Sequence, residues 1–502
     1  MASYITALGI LLWPLNLIVL YICSLAGCVL GAIPGLSGGL GIILILPVIF
    51  ALDTNLSFAM LVGMYVGGVS GSFISAVLTG IPGSAASAGT CYDGYPMTKK
   101  GKAGRALSIS ITASFIGTVA SVTVATLCAG FIAKLGLILG PWEHFSLCLM
   151  AITMVIGFSN HPVSRGLLSA FFGLWLSTVG VDNITGQLRF ASQGSALSVG
   201  INVACFLIGI FALKKVVVFY AKGKLTMPQA YEVTSEGVRL HLKDIAGNIH
   251  TILNSLCIGM GIGFLPGMGS GLSNLVAYGY ARSRSKNPEE FGTGADAGIW
   301  ATEVANNAGI GGAVLPLVSL GIPGDATTVL LMSAMLIRGL QPGPMFIRDN
   351  PVQAYLIFAA VLVSAVLIFI TELFAKKWFP LVFKIPCSYL YSVILVICFL
   401  GAYTATASMS GVYLMLVFGF VGVAADFFKM PCTPIMLSFV LGSRMEGCFR
   451  RGCAYGGGAA SFLTRPISII FLAIAISSLI LPAALKAARK RRRARQQLGG
   501  RQ

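Results

Sequence analysis

The chain has 502 residues, of which 56% are hydrophobic and only 10% charged, whereas a soluble domain carries about 25% charged residues. Such a chain has too few polar groups to cover a water-facing surface, and apolar stretches of about 20 residues, the length that crosses a bilayer, recur throughout it. The net charge of +18 does not describe a nucleic-acid surface: no Lys or Arg precedes Lys99, and later ones fall in short runs between apolar segments, as the positive-inside rule requires.

The expected fold is an all-α polytopic membrane protein with roughly ten to twelve transmembrane segments. No basic region precedes the first apolar stretch, so the first helix is expected to stay in the protein. A span from Leu15 to Ala32 stops at Pro34-Gly35, and the apolar run Ile42 to Leu52 after it is too short to cross alone, which predicts a broken helix. A glycine-rich span from Phe58 to Thr79 ends at a second break, Gly80-Ile81-Pro82-Gly83, followed by Ser84 to Thr90. Asp93 in Asp93-Gly94-Tyr95-Pro96 is read as a turn residue.

Spans follow near Ala106 to Ala133, Phe145 to Gly157, Gly166 to Gly180 and Ala196 to Tyr220. The polar segment 221–248 divides the chain into a first membrane repeat, 1–220, and a second, 249–485. Its basic residues predict a cytoplasmic connection, and the basic tail 486–502 is expected on the same side.

The second half repeats the first. Leu265-Pro266-Gly267 echoes Ile33-Pro34-Gly35 at an offset of 232 residues, and Gly321-Ile322-Pro323-Gly324 repeats Gly80-Ile81-Pro82-Gly83 at an offset of 241. Two ordered matches at nearly equal offsets argue for internal duplication. Loop charges reverse between the copies. The loop after the first break is free of basic residues at Asp53, Thr54 and Asn55, and the loop after the second holds Lys99, Lys100, Lys102 and Arg105. In the second copy Arg282, Arg284 and Lys286 follow the first break, while Arg348 stands beside Asp349 after the second. Equivalent loops then lie on opposite faces, so the repeats are expected to have inverted topology, with broken or re-entrant helices marking the site.

A Pro-Gly break inside an apolar run frees backbone groups, which membrane depth tolerates only where they are buried in protein or line a watery cavity. Half-helix N-termini turn positive dipole ends toward anions, and freed carbonyls coordinate cations. The candidate substrate-binding residues are therefore Gly35, Ser37 and Gly38; Gly83, Ser84 and Ser87; Gly267, Gly269 and Ser270; and Gly324, Thr327 and Thr328. The bland role for glycines spaced like Gly27 and Gly31, or Gly63, Gly67 and Gly71, is close helix packing.

Glu303, Asn306 and Asn307 stand at i, i+3 and i+4 and share a helix face in an apolar setting. An acid there is a candidate for function, so these residues are assigned to substrate (Asn306, Asn307) and to a coupling ion, Na⁺ or H⁺ (Glu303, Asn306, Asp325). Asp325 stands where the first half has Ser84, and either binds the cation or caps a helix. No catalytic group, metal site or other cofactor is expected. The chain lacks a phosphate loop, and His144, His161, His241 and His250 form no H-E-x-x-H motif.

Taken together, Trp13-Pro14-Leu15-Asn16, Pro34-Gly35-Leu36, Gly80-Ile81-Pro82-Gly83, Lys100-Gly101-Lys102-Ala103-Gly104-Arg105, Glu303-Val304-Ala305-Asn306-Asn307, Gly339-Leu340-Gln341-Pro342-Gly343-Pro344 and Arg465-Pro466-Ile467-Ser468 resemble the large membrane (TctA-like) subunit of the tripartite tricarboxylate transporter family. The resemblance implies a bacterial inner-membrane permease that works with a small TctB-like membrane subunit and a periplasmic solute-binding protein. It would import a tri-, di- or monocarboxylate on a Na⁺ or H⁺ gradient by alternating access. Asp325 and Thr302 depart from the family pattern, and a carboxylate at Asp325 disfavours a simple tricarboxylate. The competing readings are a passive channel or uniporter and, further off, an intramembrane enzyme.

Overall fold

The computed structural model describes residues 2–159, 161–182, 184–223, 230–233 and 240–480. The tail 486–502 and parts of the connection 221–248 lie outside them. Two compact units result: one holds the residues up to Gly136 together with Asn202–Phe420, the other Leu137–Ile201 with the residues from Val421 onward.

In chain order the elements are α1 (Ala2–Leu11), α2 (Pro14–Ala32), α3 (Gly38–Ile49), α4 (Thr54–Ser70), α5 (Ser72–Thr79), α6 (Cys91–Lys99) and α7 (Ala103–Ile138). Next come α8 (Pro141–Gly157), α9 (Val163–Ser177) and an antiparallel hairpin of β1 (Gly180–Val181) and β2 (Leu188–Arg189). Then α10 (Val203–Leu207) runs through a π-helical stretch, Ile208–Leu213, into α11 (Lys214–Lys222). The second half has α12 (Leu242–Gly247), α13 (Ile249–Phe264), α14 (Gly269–Arg284), α15 (Asp296–Leu320), α16 (Ala326–Ile337), α17 (Pro344–Asp349) and α18 (Pro351–Ala375). The last elements are α19 (Phe379–Val382), α20 (Cys387–Thr406), α21 (Met409–Phe427), α22 (Cys432–Gly456) and α23 (Pro466–Ile480).

This is an all-α polytopic membrane protein. Seven helical segments among the described residues are long and apolar enough to cross a bilayer, and seven further apolar helices have 10–17 residues. Several of the short ones, such as α3, α13 and α16, adjoin the breaks.

Local chemistry sets the boundaries. Pro14 starts α2 with its fixed φ, and the residue before Pro34 is barred from helical geometry, so α2 ends at Ala32. Asp53 caps α4 by accepting the Asn55 and Leu56 amides. Both second breaks begin with a left-handed glycine, Gly80 at φ +73° and Gly321 at φ +72°. Two expectations are corrected. The span expected from Ala196 starts only at Val203, because Asn202 accepts the Ala204 and Cys205 amides there. The Asp93 stretch is not a turn but the interior of α6, with Asp93 fully buried.

In the larger unit the duplicated motifs pack alike. A Cβ added to Gly27, Gly31, Gly71 or Gly83 would strike the carbonyl oxygen of Met64, Gly68, Cys28 or Gly31 respectively. On Gly259, Gly263, Gly312 and Gly324 it would strike those of Ala305, Gly309, Met260 and Gly263. Every pair is related by the sequence offsets of 232 and 241. The absent side chains let α2 lie directly on α4, and α13 on α15, with backbone touching backbone. Gly68 is near the middle of the continuous Thr54–Thr79 span and Gly309 near the middle of α15, so the breaks beside them sit at mid-depth of these helices. Residues Gly298–Ser319 of α15 are buried.

The ends of these central helices are tied crosswise. At the start of α15, Asp296 pairs with Arg105 after α6, and Lys100 Nζ donates to Thr293 O at 2.7 Å. At the start of α4, Arg338 after α16 donates to Ile49 O at 3.2 Å and to Thr54 Oγ1 at 3.4 Å.

Candidate functional site

The four breaks meet in two crosswise pairs. On one side, Gly39 of α3 lies against Leu330 and Thr327 of α16. On the other, Asn274 of α14 binds the Ala85 and Ala86 carbonyls and accepts the Gly89 amide at 3.3 Å, while Gly271 lies on Ala85. Each first break of one half thus touches the second break of the other.

The individual candidate residues divide by environment. Gly38, Gly83 and Gly324 are buried where a Cβ would strike the Gly68 backbone, the Gly31 carbonyl and the Gly263 carbonyl, so their lack of a side chain serves packing. Gly35 is exposed at φ +85°, with open space where a Cβ would stand, and Ser37 beside it is half-buried without capping α3. Gly267 donates its amide to Gly324 O at 2.8 Å, and Gly269, at φ +58°, faces Asp325. Ser270 faces Gly309 of α15. Ser84 Oγ accepts the Ala86 amide at 3.2 Å, and the buried Ser87 donates to Ser84 O.

Asp325 caps α16. Its Oδ1 accepts the Thr328 amide at 2.6 Å and the Thr328 hydroxyl at 2.9 Å, and its Oδ2 accepts the Tyr65 hydroxyl at 2.8 Å. Ser84 in the first half fills the same place as a neutral cap.

Glu303, Asn306 and Asn307 are fully buried on one face of α15. Thr90, immediately after the first half's second break, donates its hydroxyl to Glu303 Oε1, with Thr302 Oγ1 at 3.1 Å from the same hydroxyl. The Asn306 and Asn307 amides each reach Glu303 Oε2 at 3.4 Å. Asn307 Oδ1 in turn accepts from Ser70 and Thr118, each at 3.4 Å, and Ser114 extends the chain to Ser70. Asn306 Oδ1 is buried without a hydrogen-bond partner. A carboxyl group, an unpartnered amide oxygen and two hydroxyls thus gather in the interior, all of them oxygen donors.

Several residues in this region were absent from the sequence-based set. Thr90, Asn274, Ser70 and Thr118 gave no signal beyond being small or polar. Glu372 did: it is an acid within the apolar α18, is buried, and accepts the Cys28 thiol at 3.5 Å. Lys215, a cation inside the span Val203–Lys222, donates its Nζ to Gly35 O at 3.0 Å.

A family model described as "Tripartite tricarboxylate transporter TctA family" matches residues 17–437. An "Uncharacterized 52.8 kDa protein in TAR-I ttuC' 3'region" of Agrobacterium vitis is 31% identical over 476 residues, covering 94% of this chain and 93% of the relative. An "Uncharacterized protein in TAR-II ttuC' 3'region" of the same organism is 32% identical over 221 residues, which are 44% of this chain and 91% of that protein.

Proposed function

The chain belongs to the tripartite tricarboxylate transporter TctA family, and from that premise we propose that it is the permease subunit of a binding-protein-dependent secondary transporter for a small organic anion. The observation that carries the reading is the crosswise meeting of four helix breaks at mid-depth, beside a buried carboxylate. Paired broken segments of this kind mark the substrate site of secondary transporters.

The repeats, 1–220 and 249–485, are inverted copies. The crosswise ties support this, since the start of α15 sits with the end of α6 while the start of α4 sits with the end of α16. The substrate is a tri-, di- or monocarboxylate held by Gly35 and Ser37, Ser84 and Ser87, Gly267, Gly269 and Ser270, Thr327 and Thr328, and Asn306 and Asn307; the buried Gly38, Gly83 and Gly324 shape the breaks around it. Glu303 and Asn306 take the coupling ion, Na⁺ or H⁺, with Asp325 as the second acidic position. Transport proceeds by alternating access, one bundle moving against the other around the site. The partners are a periplasmic solute-binding protein and a small TctB-like membrane subunit, in the bacterial inner membrane with the C-terminus cytoplasmic.

The test is uptake into vesicles containing the chain and both partners. Accumulation against a concentration gradient, abolished by collapsing the Na⁺ and H⁺ gradients, is expected; equilibration that ignores those gradients indicates a passive pore. Replacing Asn306 and Asn307 together by Ala is expected to reduce uptake about tenfold or more, because each loses a hydrogen bond to a charged group. Normal uptake in that variant removes both from the site.

A further inference from the structure

We propose that Lys215 is the counter-charge of the transported anion, binding a carboxylate of the substrate at the first break; this rests on the anion-transport reading above. The position itself is unusual. Lys215 lies inside an apolar 20-residue span, seven residues before its Lys222 end, about 10 Å along the helix axis. A cation that far inside an apolar helix faces a protein interior, a watery cavity or the membrane interface, and pairs with something. Among the described residues Lys215 makes no ion pair, and its ammonium donates to the Gly35 carbonyl. An ammonium has three donors, so capacity remains.

What surrounds the ammonium suits a carboxylate. Gly35 is exposed, left-handed, and borders open space. Ser37, two residues on, leaves its hydroxyl uncommitted to the amides of α3, a helix of 12 residues; its carbonyl takes the Leu40 and Gly41 amides, so the uncapped ones are those of Gly38 and Gly39. The opposite arrangement holds at α16, whose first amides are closed by Asp325. A carboxylate beside Gly35 therefore meets a full positive charge, a hydroxyl and free amides together, whereas a helix end alone offers about half a charge.

The π-helical stretch Ile208–Leu213 directly precedes Lys214 and Lys215. Such a bulge rotates everything after it relative to a regular helix and recurs at functional sites. Without it, the side chain at 215 would leave the helix in a different direction from the one that reaches Gly35. Glu303 beside Thr90 and Asp325 at the start of α16 are acids of the other breaks, so a positive group favours the entry of an anion.

Vesicles carrying the chain with its two partners are offered radiolabelled citrate, succinate and benzoate as tri-, di- and monocarboxylate probes, and wild type is compared with K215Q, K215M and K215R. Uptake of at least one probe by wild type, with KM raised about tenfold or more in K215Q and K215M and largely restored in K215R, is the expected result. K215M keeps the unbranched stem and suits apolar surroundings, and failure to fold in both neutral variants is controlled by their size-exclusion profiles. An unchanged KM in the neutral variants overturns the role of Lys215 and leaves the transport reading standing. Uptake of none of the three probes by wild type overturns the anion reading itself, and Lys215 falls with it.

Discussion

At the residue scale, buried acids divide into those that hold the fold and those free to act. Asp93 belongs to the first kind. Its Oδ1 accepts the amides of Gly292, Gly294 and Ala295 at 2.8, 2.8 and 2.9 Å, pinning the loop before α15 to α6. The Asp-Gly-Tyr-Pro string reads as a turn because each residue favours one; a partner about 200 residues away in sequence overrides that preference, and no local pattern announces it. Replacing Asp93 by Ala leaves three amides without an acceptor and is expected to destabilise the protein by about 3 kcal/mol or more. A thermal midpoint equal to wild type would refute that role. Glu303 was legible because an acid inside a membrane helix is costly, and the same rule applied to α18 would have found Glu372. Its partner Cys28 was not legible, since a cysteine in an apolar run looks like any small hydrophobe.

At the element scale the breaks and the glycine contacts were written in the sequence, because proline and left-handed glycine act through local sterics. The partners of the breaks were not, since α14 meets Ala85 and α3 meets Thr327 only after both halves fold. The duplicated packing makes a matched prediction. Gly31→Ala and Gly263→Ala place a Cβ against the Gly68 and Gly309 carbonyls, so each should destabilise the protein by about 1–3 kcal/mol, read as a lower thermal midpoint. Gly261→Ala adds a Cβ where nothing lies within 4 Å and should be neutral; equal effects at 261 and 263 would argue against backbone contact as the cause.

The hairpin β1–β2, absent from the sequence reading because its strands have two residues each, is secured by charge within the smaller unit. Asp182 accepts the Thr185 hydroxyl, the Ile184 amide and the guanidiniums of Arg189 and Arg450, and Glu446 pairs with both arginines. The Thr185 hydroxyl first, then Arg450, hold the Asp182 carboxyl well below the usual carboxylate range. A carboxyl depressed in the folded state stabilises it at pH above the unfolded value of about 3.9, and the contribution fades as pH falls below that. Asp182→Asn should therefore melt earlier than wild type at neutral pH, with the gap narrowing below about pH 4. A gap that is constant with pH would mean that the charge is not the stabilising feature.

At the scale of the whole molecule, the reversal of loop charges and the crosswise ties bear on the same question from independent directions. If α4 and α15 are equivalent helices inserted in opposite senses, the segments just before them must emerge on opposite faces of the membrane. Ala51 precedes α4 and is exposed; Asn287 precedes α15 and is exposed as well. Single cysteines introduced as A51C and N287C, in a background with the native cysteines replaced, would then react with a membrane-impermeant maleimide from opposite sides of sealed vesicles. Arg105 and Asp296 share the face of Asn287 through their ion pair, and Arg338 shares that of Ala51 through Ile49 and Thr54. Labelling of both positions from one side would make α4 and α15 parallel. The repeats would then be related by an axis along the membrane normal, and the meeting of a first break with the other half's second break would need an explanation other than inverted symmetry.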